Sequence, residues 1–291
     1  MSKVNRKKER QIILLFLFLP ILLLVLFGIL PMIEIINYSF TNWDGIAISK
    51  EYIGLDNYIK VLTTPEYINA FKNNLYYFLS GILQIIIGLI LAIILSFKVK
   101  GKNFFKGTFI FPILISGVAV SMIFRLFFEP KGTFDFILTL LGFEENIRYW
   151  LGDPDIVNIT LAFISLWRHT GTSFIIYFGA IQSIPIEYYK ISEIEGANIL
   201  QKVREVIIPN ISTVLKINTS LLIIGAISAF EIPLIITNGS NGTSTFLLQT
   251  MKTAFENRMY GLASSMAVIL TIVIIIIVYI QKKVSGNNEE Y

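Results

Sequence analysis

Two charged residues stand inside otherwise apolar runs of the chain. Arg168 interrupts the run Ile156–Ile184, and Glu231 interrupts Ile217–Ile236. An ionised side chain is costly in such surroundings and persists where it is paired, faces water or binds something polar. Two readings follow. The first is a structural ion pair between neighbouring helices, or an arginine reaching outward to the interface. The second is a water-lined cavity for a hydroxylated solute. His169, next to Arg168, is titratable, although a lone histidine is more often simply packed. A second concentration of polar residues is Glu187–Pro209, with seven charges between two apolar runs.

Bond-making chemistry has little to work with. The chain contains no cysteine, which excludes disulfides, a thiolate nucleophile and a cysteine metal site. One histidine cannot build a histidine-rich metal centre. There is no G-x-x-x-x-G-K-[ST] phosphate loop, so the chain is not expected to hydrolyse ATP itself. G-x-S-x-G and H-E-x-x-H are also absent. The expectation is no catalytic residue, no metal and no cofactor held by this chain.

The elements that carry these residues are apolar helices. Of the 291 residues, 54% are hydrophobic and 15% charged, against about 25% charged in soluble domains. Gln11–Ile33, Asn73–Phe97, Gly107–Phe124 and Met259–Gln281 carry no charge at all. A helix needs about 20 apolar residues to cross the hydrocarbon core, so these four read as spans. The runs holding Arg168 and Glu231 make six. The expected fold class is therefore all-α, a polytopic membrane protein with six transmembrane helices. The first span is too long for a signal peptide's apolar region and no A-x-A site follows it, so it reads as retained.

Charge distribution orients these spans. Lysine and arginine favour cytoplasmic loops. Lys3, Arg6, Lys7, Lys8 and Arg10 precede the first span. Lys98, Lys100, Lys102 and Lys106 follow the second. Lys190, Lys202, Arg204 and Lys216 follow the fourth, and Lys282 and Lys283 follow the sixth. With alternating spans all fall on one side, while Asp44, Glu51, Asp56, Asp135, Asp153 and Asp155 fall on the other. Both termini are expected in the cytoplasm. The net charge of +4 is then a topology signal and not a nucleic-acid surface. By this topology Arg168 and Glu231 lie in the outer half of the membrane.

Glu187–Pro209 reads as two short amphipathic helices. Ile184, Tyr188, Ile191 and Ile194 recur on one face, with Glu187, Lys190 and Glu193 on another. After Gly196, Leu200, Val203 and Val206 or Ile207 recur similarly. Pro185 suits a helix start, Gly196 permits a bend, and Pro209 disfavours helix at Ile208. A passive helix on the headgroups and a lever that docks into another protein both fit this spacing. Elsewhere, Asn218, Thr219 and Ser220 are expected to bond neighbouring helices, and Pro112 and Pro233 to kink theirs.

The order of short motifs narrows the choice. Ile184-Pro-Ile-Glu-Tyr-Tyr-Lys-Ile-Ser-Glu-Ile-Glu-Gly-Ala197, then Gln201 and Ile207-Ile-Pro209, resembles the EAA loop of binding-protein-dependent ABC importer permeases. Leu19-Pro20, Ser39-Phe-Thr-Asn-Trp43, Ile53-Gly-Leu-Asp-Asn-Tyr58, Phe111-Pro112, Trp150-Leu-Gly-Asp-Pro154, Thr237-Asn-Gly239 and Gly261-Leu-Ala-Ser264 resemble the carbohydrate type. The resemblance is greatest to the maltose- and glycerol-phosphate-type subunit, and it covers nearly the whole chain. It implies a type I ABC importer transmembrane domain working by alternating access. The implied partners are a second homologous permease, two ATP-binding subunits that hold ATP-Mg, and an extracytoplasmic solute-binding protein. The implied setting is the bilayer of the bacterial cytoplasmic membrane, and the implied substrate a carbohydrate.

The resemblance also implies roles for residues. Glu187, Lys190, Glu193, Glu195, Gly196, Ala197 and Pro209 would couple to the ATPase. Arg168, Ser228, Phe230 and Glu231 would face the solute path, since a sugar ring asks for an aromatic face and hydrogen-bonding groups. Where the family has Glu-Ala-Ala, this chain has Lys190-Ile191-Ser192, a partner-specific change for which Glu187 and Glu193 could substitute. The implied organisation is 1–70 for the N-terminus, first span and outer loop, 71–283 for the transmembrane domain with the coupling loop at about 184–210, and 284–291 for a tail. Two other readings remain. An ion-gradient-driven secondary transporter would need an inverted repeat and discontinuous spans, which the sequence does not display. A membrane enzyme acting on lipid-linked sugars would need carboxylates near an interface, for which Asp153 and Asp155 are the most suggestive pair.

Overall fold

The structure, a computed structural model, describes residues 3–97 and 99–286. Lys98 and residues 287–291, which the sequence reading places on the cytoplasmic side, lie outside the described residues. The described residues are mostly helical, and among them the only β-type pairing is an isolated bridge between Thr41 and Tyr52.

The first helix, α1 (Lys3–Leu24), passes through a π-helical turn (Val25–Ile29) into α2 (Leu30–Tyr38). Then follow α3 (Asp56–Thr63), α4 (Pro65–Ser96), α5 (Lys102–Leu114), α6 (Gly117–Phe127), α7 (Thr133–Leu140) and α8 (Val157–Gln182). The loop region holds α9 (Ile186–Ile194), α10 (Ile199–Lys202), a second π-helical turn (Val203–Ile207) and α11 (Ile208–Asn210). The chain ends with α12 (Ser212–Ile227), α13 (Glu231–Thr237), α14 (Phe246–Phe255) and α15 (Tyr260–Gly286).

Four helical stretches are long and apolar enough to cross a membrane: Lys8–Tyr38, Pro65–Ser96, Ser212–Thr237 and Tyr260–Val284. The pair α5 and α6, bent by 97°, makes a fifth if it is counted as one span. The expected third span, Gly107–Phe124, is thus sharply bent, in the manner of a broken span or a re-entrant loop. Helix α8 has the length of a span, 26 residues, but Arg168, His169 and the Ser and Thr residues around them lower its apolarity. Length and apolarity alone therefore support four or five spans, not the expected six.

The described residues form two compact units. Met1–Thr64 with Thr250–Thr271 make the first, and Pro65–Gln249 with Ile272–Tyr291 the second. In the first unit, α1, the π turn and α2 expose apolar side chains all round, among them Leu15, Phe16 and Phe27, as a helix surrounded by lipid does. The loop that follows is held by polar bonds. Asn57 Nδ2 donates to the carbonyls of Ser39 (3.0 Å) and Thr41 (2.8 Å), and Trp43 Nε1 donates to Ala47 O (2.9 Å).

The second unit is built on α4 packed along α8, with α5 and α12 against them. Two apolar clusters lie along α8. Val157, Leu161 and Ile164 join Tyr77, Val120, Phe128, Ile232 and Ile236. Farther on, Phe174, Tyr177 and Ile181 join Ala92, Leu95, Val206, Ile207 and Ile211. The stretch of α8 between the clusters, which carries Arg168, is the polar one.

Helical periodicity fails in the expected fifth span. Helix α12 stops at Ile227, Ser228 and Phe230 leave helical geometry (φ −95°, ψ 15° and φ −151°, ψ −32°), and α13 restarts at Glu231. A helix end inside a membrane frees carbonyls that need donors. Asn74 Nδ2 supplies them to Ala226 O (2.8 Å) and Ile227 O (2.9 Å), and Thr245 Oγ1 to Ala229 O (2.5 Å). Pro233 was expected to kink this span. It lies instead in the first turn of α13, where its missing N–H is not required, and the break is upstream of it. Pro112 likewise lies in the last turn of α5, with the break at Ile115 and Ser116.

Candidate functional site

Between the two clusters of the second unit lies a cavity of about 290 Å³, lined by α4, α8, α12, the break at Ser228–Phe230 and the start of α13. All four expected solute-path residues, Arg168, Ser228, Phe230 and Glu231, line it. The structure also decides how the two charges relate. Arg168 Nη1 donates to Glu231 Oε2 at 2.6 Å, with the arginine side chain 17% exposed and the glutamate 37%. The ion pair and the cavity, alternatives in the sequence, are the same place.

Glu231 is held from a third side. Gly117 opens α6, and a Cβ at this position would overlap the Glu231 carboxylate. The absence of a side chain there admits the carboxylate to the N-terminal end of α6, where helix geometry favours a negative charge. Glu231 thus connects both helix breaks to α8.

Other groups on the cavity wall were not singled out from the sequence. Tyr77 is buried, yet its Oη has no hydrogen-bond partner, and the same holds for Thr172 Oγ1 and Arg168 Nε. Buried polar atoms are nearly always satisfied; these three are unpaired, but neighbouring groups shield them from the cavity. At the lower wall, Gln84 Nε2 donates to Ser173 Oγ (2.9 Å), and Asn218 Nδ2 donates to Ser173 Oγ (3.0 Å) and Tyr177 Oη (2.7 Å). This closed network ties α4, α8 and α12 together. Of the expected interhelical bonds, Asn218 makes them. Ser220 Oγ donates to Gln281 Oε1 (2.7 Å), and Thr219 bonds its own helix at Leu215 O (2.9 Å). His169 Nδ1 meets Ser165 O at 2.9 Å, so it is held on its own helix.

The second locus is the loop after α8. Helix α9 begins after Pro185, as expected, and ends in a Schellman motif. Gly196 N–H bonds Glu193 O (3.1 Å), Ala197 N–H bonds Ser192 O (2.9 Å), and Gly196 has φ +73°. A capping box then opens α10. Asn198 Oδ1 accepts from Gln201 N–H (2.9 Å) and Gln201 Oε1 from Asn198 N–H (2.7 Å). Sequence reasoning used Gly196 and missed the box, whose signal is Asn followed three residues later by Gln.

The expected faces of α9 are reassigned. Ser192 is buried, and Tyr189 rests on the inner cluster with Val206 and Ile207. Tyr188, Ile191, Ile194, Ile199 and Leu200 are exposed, together with Glu187, Lys190, Glu195, Gly196 and Pro209. Glu193 is exposed as well, but its Oε1 receives Lys202 Nζ at 3.1 Å across the elbow. Helix also continues through Ile208, against the expectation from Pro209. The π turn Val203–Ile207 makes this possible: Ile208 N–H bonds Val203 O, and the wider turn accommodates the proline. In the acidic pair considered for an enzyme, Asp153 Oδ1 accepts Asp155 N–H (3.0 Å) and serves a turn.

The chain is similar to known proteins over nearly its full length. Residues 84–286 match the family described as binding-protein-dependent transport system inner membrane component. The probable ABC transporter permease protein YurN of Bacillus subtilis is 31% identical over 99% of both chains. The multiple sugar-binding transport system permease protein MsmF of Streptococcus mutans is 31% identical over 94% of this chain and 95% of the relative. Among solved structures, a chain of a bacterial ABC transporter involved in the import of the acidic polysaccharide alginate superposes with a TM-score of 0.85. It is 20% identical and covers 99% of this chain and 100% of that one, a likeness of fold.

Proposed function

The chain belongs to the family of binding-protein-dependent transport system inner membrane components, and from that premise we propose that it is one permease subunit of an ATP-driven carbohydrate importer. Its relatives are transport permeases, not enzymes, and several are named for sugars: multiple sugars, diacetylchitobiose, and trehalose with maltose. It pairs with a second permease, two ATP-binding subunits and an extracytoplasmic solute-binding protein. Both termini face the cytoplasm, and the coupling loop of about 184–210 belongs to the transmembrane domain of 71–283. The secondary transporter and the lipid-linked-sugar enzyme give way to this reading.

The observation that carries it is the exposed apolar stripe of the loop. Tyr188, Ile191, Ile194, Ile199 and Leu200 stand out from a helix pair whose elbow is fixed by a Schellman motif and a capping box. A passive surface helix would turn such residues into lipid together with its own charges outward. Here Glu187 and Lys190 are exposed beside the stripe, a mixed surface suited to a protein partner. Closure of the ATPase pair would move this loop, and Tyr189, Val206 and Ile207 would carry the motion into the inner cluster below the cavity.

The test is co-expression with the neighbouring permease and candidate ATPase. Wild type is expected to capture the ATPase and to show ATP hydrolysis stimulated by the loaded binding protein. Ile191→Asp with Ile194→Asp should reduce capture about tenfold or more, as truncated interface anchors do. Capture unaffected by this double change would make the loop a passive surface. No capture by wild type would end the importer reading.

A further inference from the structure

We propose that the cavity selects an uncharged polyhydroxylated solute and rejects acidic sugars because Glu231 engages Arg168, the one permanent cation of its wall. The inference rests on the carbohydrate reading above and adds a charge rule to it. Among the residues that line the cavity, Arg168 and Glu231 are the only ones with permanently ionised side chains. They are bonded to one another at 2.6 Å, so the wall carries no net charge. The glutamate is the more exposed partner, 37% against 17%. The arginine charge is thus already engaged and the less accessible of the two.

A uronate carboxylate entering this space would lose its water and find no free cation, and desolvated unpaired carboxylates are strongly disfavoured. The Glu231 carboxylate would also repel it. A neutral sugar meets the opposite situation. It brings no charge to desolvate, and its hydroxyls can bond accessible polar groups of the wall such as Ser228 and Glu231. Gly117 makes the arrangement possible, because any side chain there would displace the Glu231 carboxylate.

The test reads binding to this cavity directly. The complex of both permeases and the ATPases is purified, with the binding protein omitted. Saturation-transfer NMR at pH 8, where an ordinary imidazole is neutral, is recorded with millimolar trisaccharides. The neutral probes are trimers of glucose, galactose and N-acetylglucosamine, and the acidic probes are trigalacturonate and triguluronate. The signal counted is the part abolished by Gly225→Trp, which fills the cavity from a lining position with open space beside it. Wild type should bind at least one neutral trimer and no uronate. Glu231→Gln leaves the Arg168 charge unneutralised and should raise uronate signal about tenfold or more, the scale of a hydrogen bond to a charged group. Arg168→Met with Glu231→Met removes both charges and should still reject uronates. If Glu231→Gln does not assemble, Glu231→Ala is read in its place. Uronate binding to wild type or to the double variant, or no gain in the Glu231 variant, overturns the charge rule and leaves the importer reading standing. Binding of neither class overturns the carbohydrate reading itself.

Discussion

Both amide hydrogens of Asn74 go to carbonyls that the helix break releases, and its Oδ1 accepts Phe246 N–H at 3.1 Å. One side chain thus stabilises a broken helix that would otherwise expose polar backbone in an apolar setting. Replacing it with leucine leaves two buried acceptors without donors, at about 1–3 kcal/mol each. Asn74→Leu is expected to lower the unfolding temperature of the purified complex by several degrees, measured by scanning fluorimetry. An unchanged midpoint would mean that water satisfies the break. Arg168 and Glu231 were legible from the sequence because a charge in an apolar run is conspicuous. Asn74, Tyr77 and Thr172 were not, because an uncharged polar residue in a span has many ordinary uses. Only its neighbours reveal that Tyr77 lacks a partner while Asn74 has three.

The elbow between α9 and α10 shows what local sequence can specify. Glu-Gly-Ala-Asn-Ile-Leu-Gln holds a helix stop and a helix start within seven residues, and the geometry follows those signals closely. Gly196 needs φ +73° with open space around its Cα, so conformation, not crowding, excludes other residues. A β-branched residue in left-handed geometry is strained by about 1–2 kcal/mol, whereas asparagine visits it routinely. Gly196→Val should lower binding-protein-stimulated ATP hydrolysis several-fold, and Gly196→Asn should keep most of it. Equal activity of the two variants would dissociate the elbow from coupling. The prolines show the limit of local rules. Both π turns, Val25–Ile29 and Val203–Ile207, end two residues before a proline, Pro31 and Pro209. The residues just after them, Leu30 and Ile208, bond back five residues, to Val25 O and Val203 O. A widened turn relieves the clash of the proline ring with the carbonyl four residues earlier, so the helix continues where the sequence argued for a stop.

At the scale of the whole molecule, charge asymmetry between loops is the basis of the orientation. The chain has no cysteine, so single cysteines can report topology without background. Lys190→Cys, on the exposed face of α9, should be labelled by an impermeant maleimide only in inside-out vesicles. Ile48→Cys, at a fully exposed position in the loop after α2, should be labelled in intact cells. The reverse pattern would invert the topology and remove the loop from the side where ATP is hydrolysed.

The sequence by itself determined the class of this protein. Long uncharged runs require helices in lipid, basic loops give the expected orientation that the cysteine labelling tests, and the motifs from Ile184 to Pro209 point to the family. Those features depend on composition and on neighbours within about one helical turn. The tertiary structure decided what the polar residues do. Arg168 and Glu231 lie 63 positions apart and meet at 2.6 Å, and Asn74 reaches carbonyls more than 150 positions away. The helix break at Ser228–Phe230 that lines the cavity was likewise invisible in the sequence. Apolar periodicity continues across Ser228–Phe230, and the backbone can leave the helix there only because distant donors are in place to receive it. The discontinuous spans that the sequence reading did not find are therefore a property of the assembled core.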